Sequence, residues 1–158
     1  MSAEILAAEI IKKMKRRNLT LSTAESITGG GLGQALTSIA GSSNIFEGGL
    51  ITYSDLSKKK FLGVTQRTLT KESAVSESVA ITMAQSVRNS FGTDYAISTT
   101  GVAGPKKAYG QKPGTVWIAI DSKSGTSTIL LNATGTREQV RHATIESALA
   151  AFSRILSL

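Results

Sequence analysis

The side chains able to do chemistry are few, and most are hydroxyls and lysines. The 158-residue chain has no cysteine and a single histidine, which excludes a thiolate nucleophile and a zinc–thiolate site. That histidine, His142, falls inside the pattern of the last helix, with no second ligand at metal-binding spacing. HExxH-type sites are therefore excluded, and His142 reads as structural or exposed. GxSxG and GxxxxGK[ST] are both absent, which removes the α/β-hydrolase elbow and the P-loop. The run Gly29 to Gly33 lacks the third glycine of a dinucleotide fingerprint at the right place. What remains is serine activated by lysine. A hydroxyl is a weak nucleophile until a base takes its proton, and lysine can be that base when burial or nearby cations lower its pKa. Gly41-Ser42-Ser43 follows the glycine-loop helix, and Lys58 opens the triplet Lys58-Lys59-Lys60 after the next strand. A strand can carry Lys58 back past the loop containing Ser43, and spacing leaves Ser42 and Ser43 both open as its partner.

Charge narrows the ligand class. Eighteen Lys/Arg against eleven Asp/Glu give a net charge of +7, and a positive surface attracts phosphates. Lys12, Lys13, Lys15, Arg16 and Arg17 gather at the end of the first helix, where cations complement the dipole. The clusters Lys58–Lys60, Lys106-Lys107-Lys112 and Arg137 with Arg141 lie beside unusual loops instead and suit a phosphorylated ligand. Eight aromatic residues offer few stacking platforms for single-stranded nucleic acid, so no specific nucleic-acid partner is expected.

Positioning those groups requires an alternating α/β order. Residues 4–17 place Leu6, Ile10 and Met14 on one helical stripe. Leu19 to Ala24 reads as a strand that feeds a glycine-rich turn and then a helix through Leu32, Leu36 and Ile39, an arrangement that offers backbone N–H groups to an anion. Leu50 to Tyr53 is the second strand, and 55–62 a short helix closed by Gly63. Ser76 caps a helix carrying Val79, Met83 and Val87. Tyr95 to Ser98 is a third strand, running into the loop Thr99–Pro105. Thr115–Ile120 and Ser127–Leu131 form a hairpin around the polar turn 121–126. Thr136-Arg137-Glu138-Gln139 is a capping box opening a last helix that buries Ile145, Leu149, Phe152 and Leu156. The expected fold is a three-layer α/β/α sandwich with a mixed sheet, one domain over 1–158. Hydrophobic residues make up 41% and charged residues 18%, a globular composition with no run near the roughly 20 residues of a membrane span. The N-terminus turns basic only after its apolar residues, opposite to a signal peptide, so a cytoplasmic location is expected.

Several loops then appear in a fixed order: Thr23-Ala24-Glu25-Ser26-Ile27-Thr28-Gly29-Gly30, Gly41-Ser42-Ser43, Phe46-Glu47-Gly48-Gly49, Tyr53-Ser54 through Lys58, Leu62-Gly63-Val64, Ala74-Val75-Ser76-Glu77, Thr100-Gly101-Val102-Ala103-Gly104-Pro105, Lys112-Pro113-Gly114-Thr115-Val116-Trp117 and Gly135-Thr136-Arg137-Glu138. The series resembles the CinA C-terminal domain family, the nicotinamide-nucleotide amidases, over about residues 4–156. The resemblance implies hydrolysis of the carboxamide of nicotinamide mononucleotide to nicotinate mononucleotide and ammonia, a pyridine-nucleotide salvage step. It implies no metal, no organic cofactor and a homo-oligomer. It also implies a stand-alone form without the molybdopterin-binding-like N-terminal domain that many relatives carry.

On the family pattern Ser43 is the expected nucleophile, Lys58 its base, and Tyr53 a group holding Lys58 or the leaving group. Glu25, Ser26, Thr28, Gly29, Gly30, Ser42, Thr100, Gly101, Gly104, Arg137 and Arg141 are expected around the substrate. Thr100-Gly101 or N–H groups near Ser43 would serve the oxyanion, and Arg137 and Arg141, one helical turn apart, would serve the phosphate. The chain departs from the family at Ile27, where cysteine is usual, and at Asp55-Leu56-Ser57, where Asn-Glu-Ala is usual. It also departs in the loop Lys106–Pro113, usually glycine-rich and acidic. Two other classes are compatible with the sequence: a phosphate-ligand binding module without turnover, and an accessory protein associated with competence or DNA damage.

Overall fold

Period-two alternation along the strands gives each sheet face its own set of helices. The computed structural model describes residues 1–158. Its strands are β1 (Leu21–Glu25), β2 (Phe46–Ile51), β3 (Tyr95–Gly101), β4 (Thr115–Ser122) and β5 (Gly125–Asn132). The helices are α1 (Ala3–Arg17), α2 (Gly31–Thr37), α3 (Asp55–Leu62), α4 (Gln66–Glu72), α5 (Glu77–Phe91) and α6 (Arg137–Ile155), with a 3₁₀ turn at Ser42–Asn44. Leu21, Ile97, Val116, Ile118 and Ile120 point to one face, where they join Leu6, Ile10 and Met14 of α1, Leu32 and Leu36 of α2, and Leu149 and Phe152 of α6 in the larger core. Ala24 and Ala96 point to the other face, against Leu62, Leu69, Val79, Met83 and Val87 of α3, α4 and α5. Small residues on that second face let α5 lie close: Ala119 meets Ala80 and Ala84. The expected three-layer α/β sandwich with a mixed sheet is the fold found.

The sheet order is β2-β1-β3-β4-β5. β1 runs parallel to both β2 and β3, and β4 and β5 are antiparallel additions. The chain leaves β1 toward β2 on one side and returns from β2 to β3 on the other. The strand order thus reverses between β1 and β3, and the crevice at their carboxyl ends is where open α/β sheets bind ligands.

Several elements differ in extent from the sequence expectation. β3 continues to Gly101 because Thr99, Thr100 and Gly101 pair with Ile118, Trp117 and Val116, so the first three residues of the expected loop are strand. The hairpin closes more tightly, with only Lys123 and Ser124 outside the ladder. α2 stops at Thr37, leaving Ile39 in the following turn. α4 was not separable in the sequence because it buries one side chain, Leu69, and so carries no apolar period. The capping box at Thr136 and Gln139 is present as read. No helix is long and apolar enough to cross a membrane.

Candidate active site

The lysine lies under the end of the sheet. Ser54 caps α3 and fixes its first turn at the carboxyl end of β2, which puts Lys58 one turn in and pointing back across the edge of β1. Lys58 is 1% exposed, one of the most buried large side chains in the molecule. Its Nζ donates to the Thr52 carbonyl at 2.7 Å and the Tyr53 carbonyl at 3.3 Å, and meets Ser26 Oγ at 2.9 Å. Carbonyl oxygens only accept, so two of the Nζ positions must carry protons. The third faces Ser26. As an ammonium Lys58 donates to Ser26, and as an amine it directs its lone pair at the Ser26 hydroxyl proton. Burial lowers the Lys58 pKa to about 8, against the opposing pull of the Asp55 carboxylate. About one molecule in ten then has the neutral amine at pH 7.

Ser26 is held by the backbone. Its N–H donates to the Thr99 carbonyl of β3, and its own carbonyl accepts from Gly29 N–H. The loop after it is braced from two sides. The Glu25 carboxylate accepts from Thr28 Oγ1 at 2.6 Å, Leu32 N–H at 2.8 Å and Gly33 N–H at 3.0 Å, so it neutralises the start of α2. Arg141 donates to the carbonyls of Ile27 and Thr28. Gly30 enters α2 at φ +97°, with Ile51 Cδ1 only 2.9 Å from where a Cβ would stand, so a side chain there would be strained and would have to displace Ile51.

Above the pair opens a cavity of about 140 Å³, lined by Ser26, Ile27, Tyr53, Lys58, residues 100–104, Lys106, Tyr109 and Arg137 among others. The backbone N–H groups of Ile27, Ala103 and Gly104 donate to no acceptor in the protein. At the rim Arg137 donates to the Gly104 carbonyl and the Tyr53 hydroxyl, leaving further guanidinium donors free. Thr100 is less available, because its hydroxyl donates to the Ala74 carbonyl.

This chain matches the model of the CinA C-terminal domain over residues 3–156. It belongs to the CinA family. The crystal structure of a competence damage-inducible protein A from Klebsiella pneumoniae superposes with a TM-score of 0.97 at 35% identity, covering 99% of this chain and 98% of that one. A competence/damage-inducible protein from Agrobacterium tumefaciens gives 0.93 at 36% identity, over 99% and 96% of the two chains. A CinA-like protein of Gemmatimonas aurantiaca is 42% identical over 145 residues, 91% of this chain and 34% of its own length. The chain spans about a third of the length of the curated relatives it matches.

Among the expected site residues, this CinA-family chain gathers Ser26, Lys58, Tyr53, Thr100, Gly101, Gly104 and Arg137 around one cavity. It does not bring Ser43 there. Ser42 and Ser43 precede β2, and Phe46 pairs with Leu21 at the start of β1, whereas Ser26 follows its end. The length of β1, about 16 Å, separates them from Lys58. The hydroxyl that Lys58 reaches is Ser26, which the sequence reading assigned to substrate binding. Ser43 is exposed, and its buried neighbour Ser42 belongs to the 3₁₀ turn. Glu25, Thr28 and Arg141, also expected at the substrate, brace the loop and do not line the cavity. Gly29 and Gly30 shape the turn and do not line the cavity. His142 stands on the exposed side of α6, 3.8 Å from Glu146. Tyr109, which the sequence reading did not single out, lines the cavity.

Proposed function

We propose that this protein is an amidohydrolase acting on the carboxamide of nicotinamide mononucleotide, with Ser26 as nucleophile and Lys58 as general base. The observation that carries the reading is the Lys58 Nζ, buried and held by two carbonyls so that its remaining position meets Ser26 Oγ. Neutral Lys58 takes the Ser26 proton as Oγ attacks the carboxamide carbon. The uncommitted N–H groups of Ile27, Ala103 and Gly104 are the candidates to receive the oxyanion. Collapse breaks the C–N bond, and the Lys58 ammonium returns its proton to the departing nitrogen, which leaves as ammonia. Water, deprotonated by the same amine, hydrolyses the Ser26 ester and restores the serine. A pyridinium ring withdraws electrons from its carboxamide, which lowers the demand on this small set of groups.

Arg137 and Lys106 at the rim supply cations for a 5′-phosphate. The inferred setting is cytoplasmic salvage of the nucleotide. Like chains are inferred to associate, and Ile51, Leu56 and Phe61 are among the exposed apolar side chains that an association could cover. The test is ammonia release from nicotinamide mononucleotide by the purified protein. Stoichiometric ammonia and nicotinate mononucleotide are expected. Tight binding of the nucleotide without ammonia would instead favour the binding-module class.

A further inference from the structure

The guanidinium of Arg141 faces no carboxylate. It lies on α6 one turn after Arg137, half-buried and outside the lining of the cavity. The ion pairs of the molecule are Arg88 with Asp121 and His142 with Glu146. Arg141 instead donates from Nε to the Ile27 carbonyl at 3.2 Å and from a terminal nitrogen to the Thr28 carbonyl at 3.1 Å. A guanidinium half out of water and facing only neutral acceptors is costly to hold, which sets it apart from a surface charge. Its seat is close-fitting. Ile145, one turn further on, comes to 2.8 Å from where a Cβ on Gly31 would stand, and Arg141 to 3.4 Å from a Cβ on Gly29. The capping box at Thr136 and the buried Val140 and Leu149 fix α6, so the serine loop is laid against a rigid helix.

What the two carbonyls control follows from the planarity of the peptide unit. The Thr28 carbonyl and the Gly29 N–H share one plane. Arg141 holds the carbonyl end, and the N–H end donates to the Ser26 carbonyl at 3.1 Å. The Ser26 carbonyl in turn shares its plane with the Ile27 N–H, which donates to no acceptor, and both residues line the cavity. Between these planes lies a third, made of the Ile27 carbonyl and the Thr28 N–H. That N–H has no acceptor in the protein, so Arg141 alone restrains the middle plane. The three planes run from the guanidinium to a free N–H next to the Ser26 side chain. Losing Arg141 would release the middle one, and the free N–H would turn with it.

We infer that Arg141 is a positioning residue, which holds the peptide planes after Ser26 so that the Ile27 N–H meets the oxyanion, and that it binds no part of the ligand. The inference rests on Ser26 as nucleophile and not on which amide it attacks. An alkyl fluorophosphonate probes it directly. This reagent needs the serine, its base and an oxyanion donor, but neither a pyridine ring nor a 5′-phosphate. The Ser26 Oγ–P bond forms as the P–F bond breaks, the serine proton passes to Lys58 and fluoride leaves. In Arg141→Ala the labelling rate and kcat for ammonia release should both fall by about ten- to a hundredfold, the cost of a misplaced group. KM for the mononucleotide should stay within about threefold of wild type. Guanidinium ion, added below denaturing concentration, should restore part of both rates by refilling the seat. Arg141→Lys, which keeps the charge without the planar fork, should stay impaired. Should the alanine variant fail to fold, Arg141→Lys carries the test, with both rates lowered and KM unchanged. Rates close to wild type in the folded alanine variant, or full rates in Arg141→Lys, overturn the inference. So does a raised KM with unchanged labelling, the mark of a phosphate ligand, and so does a loss that guanidinium cannot relieve, the mark of a structural staple. Labelling that depends on Arg141, without ammonia release, would sink the amidase reading and leave this one standing. Ammonia release indifferent to Arg141 would do the reverse.

Discussion

The two ends of the sheet carry similar short sequences with different fates. At one end Ser26-Ile27-Thr28-Gly29 follows β1, and at the other Gly41-Ser42-Ser43 precedes β2. Both are small, polar and rich in hydroxyls. The first lies at the reversal of strand order, where β3 and the start of β4 also arrive, so its serine is covered by several elements and a lysine can be desolvated against it. The second caps a 3₁₀ turn on the outside of the molecule, with Ser43 exposed. A serine becomes a candidate nucleophile through the base that its surroundings can bury, and only the first end buries one.

Three substitutions sharpen that contrast. Ser26→Ala is expected to have the largest effect, lowering kcat for ammonia release by roughly four orders of magnitude or more with the fold intact. Circular dichroism and the melting temperature report the fold, and a continuous ammonia assay reports the rate. Next is Lys58→Arg, which keeps the charge but cannot release it near neutral pH. Turnover should fall by about two to four orders of magnitude. A base with its pKa lowered to about 8 must be neutral to act, so wild-type kcat/KM should rise with pH and level off above about 8. In Lys58→Arg the residual activity should lack that limb. Near-normal turnover with an unchanged profile in this variant would break the assignment of Lys58. The smallest effect belongs to the other end of the sheet. Ser43→Ala should stay within about twofold of wild type in kcat/KM and close to it in melting temperature, as exposed substitutions generally do.

Much of the frame was legible in the sequence because it depends on local rules. The Ser76 and Thr136 caps, and the helix end at Gly63, all follow from nearest-neighbour chemistry. Lys58 stood out because a chain without cysteine, and with one histidine on a helix, has few other bases. Its partner was not legible from spacing, since Ser26 and Lys58 lie 32 positions apart and meet only through the pairing of parallel strands. The signal was nevertheless available. Parallel β1 and β2 put the residues that follow them, Ser26 and Thr52, at the same end, while residues preceding β2 must lie at the opposite one. The bracing contact of Glu25 was not legible for a related reason. Acidic groups at a helix start usually sit within its first turn, whereas here the carboxylate reaches Leu32 and Gly33 seven and eight positions on. The unusual loop 106–113 was visible, but Ala-Tyr-Gly-Gln carries no standard hairpin signal, so the placement of Tyr109 at the cavity could not be read.

The central claim is that the serine beside the buried lysine forms the covalent intermediate, and it can be tested at the level of the bond. The protein is mixed with nicotinamide mononucleotide, quenched in acid within the first turnover, and mapped by peptide mass spectrometry. The expected result is an acyl adduct on the peptide containing Ser26, absent in Ser26→Ala and unchanged in Ser43→Ala. An adduct on the peptide containing Ser42 and Ser43, or full turnover by Ser26→Ala with no adduct at all, would contradict the account.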